Sequence, residues 1–307
     1  MAVSRSIAQL IFGAVCISFA AIFVKMLGVG LMSPTSIGFW RAFWGTIFLF
    51  IIAFVSNRSF SINRSVVWWT ALAGFLFSAD LFFWHRSIIY SGAGIATILA
   101  NTQVFGTAVL SFFIFKERLS AKFLVAAVGA FGGVALLIGL GSEIDMTSRY
   151  LRGVLYGLIT GLCYANYLVT LKYASHKQAL PDFVILMAWV SLFMALFLGG
   201  ATIIEDRGFL PPDFYSLFIL ILLGLIPQTI GWWSISTGLA KANASKAGLI
   251  LLLQPVLATI WGIMFFDEQL TLIQILGAAL TLLAIYIGSV SRDKQATPDR
   301  PAAPVAA

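Results

Sequence analysis

Residues 93–120, AGIATILANTQVFGTAVLSFFIFKERLS, return as a second copy in residues 244–271, ASKAGLILLLQPVLATIWGIMFFDEQLT. At a constant offset of 151 residues, a central glutamine (Gln103, Gln254) and a Phe-x-Glu-x-Leu-Ser/Thr ending (Glu117, Glu268) coincide. On a helix, each copy forms a stripe of mostly small residues around its glutamine, and such stripes let helix backbones approach each other in a bilayer. A repeat of this length indicates a chain built by duplication.

The composition indicates a membrane protein along the whole length of the chain. Of its 307 residues, 60% are hydrophobic and only 10% are charged, whereas soluble domains carry about 25% charged residues. Apolar runs near the roughly 20 residues that cross a bilayer recur throughout. We expect ten spans, at roughly 7–27, 36–55, 66–87, 92–115, 121–140, 151–172, 182–203, 215–237, 244–266 and 271–290.

The basic residues predict the topology. With the N-terminus inside, thirteen Lys and Arg fall in inner segments, and four fall in outer ones, namely Arg86, Arg149, Arg152 and Arg207. Because cytoplasmic loops carry an excess of Lys and Arg, both termini are predicted to be cytoplasmic. The net charge of +7 therefore does not call for a nucleic-acid partner.

The repeat also predicts how the two halves are arranged. At an offset of 147, Cys16 coincides with Cys163 and Lys25 with Lys172, so the first five spans match the last five. Since five is odd, the halves insert in opposite orientations. We expect a first five-helix repeat in residues 1–145, a second in 146–291 and a disordered cytoplasmic tail in 292–307. Inverted repeats are typical of secondary transporters, whose substrate site lies near the membrane midplane.

The motif Gln254-Pro255-Val256, followed by Glu268 and by Gln274-x-x-Gly277, resembles the drug/metabolite transporter superfamily. Together with the ten spans, it is most similar to the EamA-type exporters and, among them, to bacterial exporters of aromatic amino acids. The first half departs from this pattern, with Val104 and Ala126 at the positions of Pro255 and Gly277. The resemblance implies a ten-helix exporter of small metabolites in the bacterial inner membrane.

Three glutamines are candidate substrate-binding residues. Gln103 and Gln254 lie at the centres of the fourth and ninth spans, so the inverted repeat brings them to similar depth on opposite walls of one cavity. Gln228 lies in the eighth span. A hydrated pathway needs polar lining; alternatively, each amide hydrogen-bonds a neighbouring helix and serves packing alone.

Two prolines flank these glutamines, in Pro227-Gln228 and Gln254-Pro255. A proline inside a helix frees the carbonyl four residues back, here that of Leu223 and that of Leu251. Such a break either lines a cavity, where the carbonyl accepts from a substrate ammonium, or only shapes packing. The two interpretations have equal support from the sequence.

Arg41 and Asp80 are charges inside the predicted membrane region, and the second half has neutral Ala188 and Gly231 at their positions. Because both charges are present in one half and absent in the other, the sequence favours a pair that neutralises itself, since an isolated charge there is costly. Alternatively, Arg41 binds a substrate carboxylate, and Asp80 with His85 carries a proton.

Tyr164, Asn166 and Tyr167 in the sixth span, with Trp232 in the eighth, are candidates for a ligand wall. The alternative is the aromatic belt that marks membrane interfaces.

The sequence contains no nucleotide-binding, metalloprotease or serine-hydrolase motif, so no cofactor, metal site or enzymatic activity is predicted. We expect an exporter whose partners are amino-acid substrates and lipid. A carrier of other specificity, a channel and an intramembrane enzyme are the alternatives.

Overall fold

The computed structural model describes residues 2–28, 31–116, 119–140, 146–177, 179–180, 182–205, 208–239 and 250–293, and every regular element within these ranges is helical. The expectations for Glu117, for residues 244–249 and for the tail from residue 294 lie outside these ranges.

The described helices form ten successive spans. The first five are Ala2–Gly28, Pro34–Val55, Arg64–Ser91, the pair Ala93–Asn101 and Gln103–Phe115, and Ala121–Leu137. The last five are Ser148–Lys177, Phe183–Glu205, the run Phe214–Leu223, Gly224–Gly231 and Trp232–Leu239, then Leu253–Phe266 and Leu272–Asp293. Among the described residues, seven segments are long and apolar enough to cross a membrane, and the helices of the fifth, ninth and tenth spans are shorter apolar ones. The predicted all-α membrane fold is confirmed.

Polar residues at the helix starts explain why several helices begin where they do. Asn63 and Ser120 accept hydrogen bonds from the backbone N–H groups three residues on, which satisfies donors that the first turn leaves unpaired. Ser33 caps the second span in the same way, immediately before a proline at the first helical position. Asp213 caps the eighth span, and the hydrogen bond from the Ser216 backbone lowers the pKa of its carboxyl group.

Contacts between the halves follow the pattern that a two-fold axis requires. The second span packs on the seventh, the fourth on the ninth and the fifth on the tenth, each against its own counterpart. The first span packs on the eighth and ninth, while the third and fourth pack on the sixth. Because each half has an odd number of spans, the halves cross in opposite directions, as the predicted inverted repeats require.

The helices of the fourth and ninth spans are both interrupted just before their central glutamines, Gln103 and Gln254. The fourth breaks at Thr102 (φ −63°, ψ −9°) and the ninth at Leu252 (φ −66°, ψ −11°). Each then ends on a residue in the left-handed conformation, Lys116 or Asp267. The eighth span is irregular in another way, since Gly224–Gly231 is a π-helix that contains Pro227.

Candidate functional site

A cavity of about 250 Å³ opens between the two halves, against the breaks in the fourth and ninth spans. Six residues singled out in the sequence line it: Arg41, Asp80, Gln103, Tyr164, Trp232 and Gln254. They come from the second, third, fourth, sixth, eighth and ninth spans, so both halves contribute to the wall. The cavity therefore lies where an inverted-repeat transporter has its substrate site.

Arg41 is the basic group of the cavity, and a buried glutamine fixes the position of its side chain. Its side chain is 3% exposed, and its Nε donates to Gln228 Oε1 at 2.9 Å. The Gln228 amide in turn donates to Ser191 Oγ at 3.2 Å. This approach requires Gly45, because a Cβ there would lie 2.4 Å from Gln228 Cγ. Gln228 thus stays buried behind Arg41 and orients the guanidinium towards the cavity instead of lining it.

Asp80 is the acidic group of the cavity, and it does not pair with Arg41. Although it is only 6% exposed, no hydrogen bond or ion pair within 4.0 Å reaches its carboxylate from any part of the chain that the structure describes. The Thr160 hydroxyl donates to the backbone carbonyl of Asp80. The structure thus brings the two charges to one cavity, but the direct pair that the sequence favours does not form, because Arg41 is turned onto Gln228.

Three aromatic rings form one wall of the cavity. Phe77 and Tyr164 stack with ring centroids 6.0 Å apart, and Trp232 meets both rings edge-on, at 6.0 and 6.4 Å. Tyr167 lies behind them: it stacks on Phe77 at 4.7 Å, and its hydroxyl donates to the sulfur of Met187. Tyr167 therefore supports the wall from outside the cavity.

The two central glutamines differ in their partners. Gln103 Oε1 accepts a hydrogen bond from the Thr107 hydroxyl, 2.9 Å away. No hydrogen bond from the described residues reaches the Gln254 side chain. The amide of Gln254 is thus available to whatever occupies the cavity.

Two predicted residues lie away from the cavity. Asn166 is exposed on the outside of the sixth span, and its amide donates to the Leu162 carbonyl. At 100° per residue it is about 200° from Tyr164, on the opposite face of the same helix. His85 is fully buried, with Nδ1 3.1 Å from the Pro34 carbonyl oxygen, and does not contribute to the cavity wall.

The prolines act differently from one another. Pro255 lies in the first turn of Leu253–Phe266, where its missing N–H would have no helical acceptor. The expectation of a proline inside the ninth helix therefore needs correction, because the helix restarts just before it. Pro227 does lie inside a helix, and the carbonyl of Gly224 there accepts from the Thr229 hydroxyl. Neither proline lines the cavity, although Leu251 does.

Sequence reasoning did not assign several lining residues to the site, among them Phe77, Trp84, Thr97, Asn101 and Thr160. One signal was available in the third span, because Phe77, Asp80, Leu81 and Trp84 follow the i, i+3, i+4, i+7 spacing of one helix face. The guanidinium carbon of Arg41 lies 5.5 Å from the Trp84 ring centroid. The lining residues Thr97, Ala100, Asn101 and Val104 of the fourth span follow the same spacing.

An ion pair joins the first and ninth spans at one end of the bundle, which we call the Glu268 end. Lys25 and Glu268 form an ion pair, and Glu268 Oε1 also accepts from the Ala93 backbone N–H at 2.8 Å. Gly92 has φ +96°, and a Cβ there would lie 2.9 Å from the Glu268 carboxylate. Glycine is thus required for both the backbone turn and the approach of the carboxylate.

The opposite end of the bundle, which we call the Phe115 end, carries the matching pair of residues from the repeat. The Lys172 ammonium lies 4.5 Å from the Phe115 ring centroid, as Lys25 lies 4.6 Å from that of Phe266. The correspondence of Lys25 with Lys172 and of Phe115 with Phe266 is the one that the sequence offsets predict. The two ends are therefore built alike in the described residues.

In the described ranges, no group of three or more His, Cys, Asp or Glu side chains is positioned to hold a metal ion. The thiols of Cys16 and Cys163 are both free.

Duplicated five-span halves, a central cavity between them and broken helices along its wall define a membrane transporter. The sequence pattern of the EamA-like transporter family matches residues 4–139 and again residues 151–290. The chain therefore belongs to the EamA-like transporter family, which confirms the resemblance described above. The double match also follows the two halves of the repeat.

Individual relatives agree with this assignment. An uncharacterized transporter of Archaeoglobus fulgidus is 26% identical over 91% of this chain and 94% of its own length. A probable amino-acid metabolite efflux pump of Escherichia coli is 28% identical over 64% of this chain and 67% of its own length. One solved crystal structure has a TM-score of 0.67 at 16% identity, over 96% of this chain and 99% of its own, and so shares the fold.

Proposed function

We propose that this protein exports aromatic and other large apolar amino acids across a bacterial inner membrane, by alternating access at the central cavity. The observation that carries the proposal is the make-up of the cavity wall, where the rings of Phe77, Tyr164 and Trp232 adjoin the charged groups of Arg41 and Asp80. Ligand sites combine an apolar, aromatic wall with a few fixed polar groups. A large apolar amino acid offers both kinds of surface.

Cavity size and charge favour an amino acid over other cargo. The volume of about 250 Å³ lies just below the roughly 300–1,000 Å³ of sites for drug-sized ligands. Among the described lining residues, Arg41 is the only Lys or Arg. Phosphorylated metabolites are held by several charge-assisted hydrogen bonds, so one guanidinium favours a single carboxylate.

The names of two relatives support the same substrate class. Proteins of Escherichia coli and Salmonella typhimurium are each called a probable amino-acid metabolite efflux pump. Their identities of 28% and 25% support the class of substrate without specifying the amino acid.

Counterflow in proteoliposomes tests the proposal. We expect vesicles loaded with unlabelled phenylalanine to accumulate labelled phenylalanine, tryptophan or methionine, and cells that overproduce the protein to tolerate toxic analogues. Counterflow distinguishes a carrier from a channel, and an unchanged substrate excludes the enzyme. Competition by sugar phosphates but by no amino acid would refute the assignment.

Trp232→Ala is expected to weaken exchange of phenylalanine more than that of threonine, because the ring wall is lost.

We also propose that both termini are cytoplasmic, so that the Glu268 end is the outer end. The charge count and the odd number of spans in each half support this orientation. After removal of Cys16 and Cys163, an impermeant thiol reagent applied to whole cells should label Leu210→Cys, between the seventh and eighth spans. It should not label Ser59→Cys, between the second and third; both positions are exposed. The reverse pattern would invert the topology.

A further inference from the structure

The cavity wall contains hydrogen-bond donors without acceptors. Arg41 Nη1 and the indole N–H groups of Trp84 and Trp232 are buried and unpaired among the described residues, and all three residues line the cavity. An unpaired indole alone does not indicate a ligand, because Trp44 and Trp189 have one away from the cavity. The guanidinium is different, since leaving a buried charged group unsatisfied is far more costly.

A group of opposite sign faces the same cavity. The Asp80 carboxylate accepts no hydrogen bond and makes no ion pair in the described part of the chain. Arg41 and Asp80 are thus two buried charges that face one space and do not contact each other. In a membrane, charges in this situation indicate a pathway or a ligand.

We propose that one substrate molecule bridges the two charges, with its carboxylate on Arg41 and its α-ammonium on Asp80. The transporter would then select zwitterions over molecules that carry only one of these groups. The inference rests on the proposed function and adds what recognises each end of the amino acid. A guanidinium suits the carboxylate because its N–H groups match two oxygens in one plane.

The residues around Arg41 fit this role. Gln228 accepts from Nε and is itself held by Ser191, and no hydrogen bond from the described residues reaches the terminal nitrogens of the guanidinium. The ring wall of Phe77, Tyr164 and Trp232 adjoins the same space and takes the apolar side chain. Gln228 is accordingly a positioning residue, and Arg41 and Asp80 are the recognition residues.

A different role for Asp80 is that of a proton carrier, and the two roles predict different results. If Asp80 binds the ammonium, its neutralisation changes the preference among ligands. If it carries the driving proton, its neutralisation slows the driven transport of all substrates equally and leaves ligand preference unchanged.

The test uses three probes that each carry a phenyl ring. Phenylalanine has both charged groups, 3-phenylpropionate lacks the amine, and phenethylamine lacks the carboxylate. Their competition against labelled phenylalanine is measured by binding to purified protein and by counterflow. We expect wild-type protein to prefer phenylalanine about tenfold or more over either analogue, the effect of one charge-assisted hydrogen bond. Asp80→Asn should remove the preference over 3-phenylpropionate alone, and Arg41→Gln the preference over phenethylamine alone.

An Arg and an Asp that do pair, among the described residues, supply matched controls. Arg58 and Asp182 form an ion pair outside the cavity, so Arg58→Gln and Asp182→Asn should leave all three affinities unchanged. An unchanged preference in folded Asp80→Asn would overturn the proposal, as would an equal loss of all three probes. If a variant fails to fold, the wild-type protein still decides, because equal affinity for the three probes contradicts zwitterion selection. No exchange of any amino acid by wild-type protein would instead refute the proposed function.

Discussion

The fourth and ninth spans, one from each half, break within one residue of the same repeat position and with nearly the same backbone angles, although only the ninth carries a proline there. The second and third spans differ from their counterparts, because Arg41 and Asp80 correspond to the neutral Ala188 and Gly231 in the repeat. The backbone of the cavity is thus symmetric, while its charges come from one half. Symmetric breaks suit the proposed site that opens to either side in turn, and under the same proposal the asymmetric charges would hold a substrate in one orientation.

The contact between the fifth and tenth spans offers the largest test of this comparison. Gly277 packs against backbone, and a Cβ there would lie 2.3 Å from the Leu137 nitrogen and 2.7 Å from the Gly133 oxygen. Its counterpart in the first half is Ala126, which is buried among side chains. We expect Gly277→Ala to cost about 3 kcal/mol, at the upper end of overpacking, and to lower the melting temperature and the yield of monodisperse protein in detergent.

Gly132→Ala is the matched control, because nothing lies within 4 Å of a Cβ at that position. It should leave melting temperature and yield at the wild-type level. Equal behaviour of the two variants would show that the close contact at Gly277 is not needed.

The central glutamines test whether symmetric positions have equal roles. Gln254 has no protein partner among the described residues, whereas Gln103 is bonded to Thr107. We expect Gln254→Leu to reduce counterflow about tenfold, the value of one hydrogen bond of roughly 1.4 kcal/mol, with no change in melting temperature. Gln103→Leu should reduce counterflow less and stability more. If Gln254→Leu lowered both the counterflow rate and the melting temperature, Gln254 would be assigned to packing.

If the transporter alternates access as proposed, the ion pair at the Glu268 end is expected to favour the state that is closed at that end. Glu268→Gln retains an acceptor for the Ala93 N–H but removes the charge that faces Lys25. We expect the ratio of the open state to the closed state at that end to rise about fivefold. The reason is that the ion pair is partly exposed, and such a pair contributes on the order of 1 kcal/mol. The measurement is the rate at which an impermeant reagent modifies Ala100→Cys in the cavity.

The same end carries a second ion pair as a control, between Arg86 and Glu205 at 2.7 Å. It joins the third and seventh spans and does not touch the fourth or ninth. Glu205→Gln should therefore leave the modification rate of Ala100→Cys unchanged. Faster modification in Glu205→Gln, or none in Glu268→Gln, would contradict the assignment of Glu268 to closure.

Local patterns in the sequence were sufficient for the spans and for the duplication. The third span, expected at 66–87, is Arg64–Ser91, because hydropathy reports the apolar middle of a helix better than its polar ends. The pairing of Arg41 with Gln228 joins residues 187 positions apart, so only tertiary packing could reveal it. Asn166 was assigned to the wall by nearness in sequence, but helical geometry turns it away from Tyr164.

The break at Thr102 was not predicted: the fourth span has no proline, and the polar run Asn101-Thr102-Gln103 stands inside an otherwise apolar helix pattern. The same backbone conformation occurs at Leu252, two residues before Gln254. What the two sites share is the packing of each broken span on the other and on the opposite half. Local hydrogen bonds accompany this packing at the break in the fourth span, where the Asn101 amide donates to the Thr97 carbonyl and the Thr102 hydroxyl to the Leu99 carbonyl.

The smallest expected effect is that of Pro255→Val, which gives the ninth span the residue that the fourth has at Val104. If packing between the halves sets the break, the helix still restarts at Leu253, because a first-turn residue needs no helical acceptor for its N–H. We expect counterflow within about twofold of wild type, as for a loss well under 1 kcal/mol, and an unchanged melting temperature. Pro227→Ala is the contrast, since its π-helical segment has no counterpart in the straight third span and carries Gln228. There the α-helical register can return and withdraw Gln228 from Arg41, so counterflow should fall more than for Pro255→Val. A severe loss for Pro255→Val with little loss for Pro227→Ala would mean that the proline, and not the symmetric packing, breaks the ninth span.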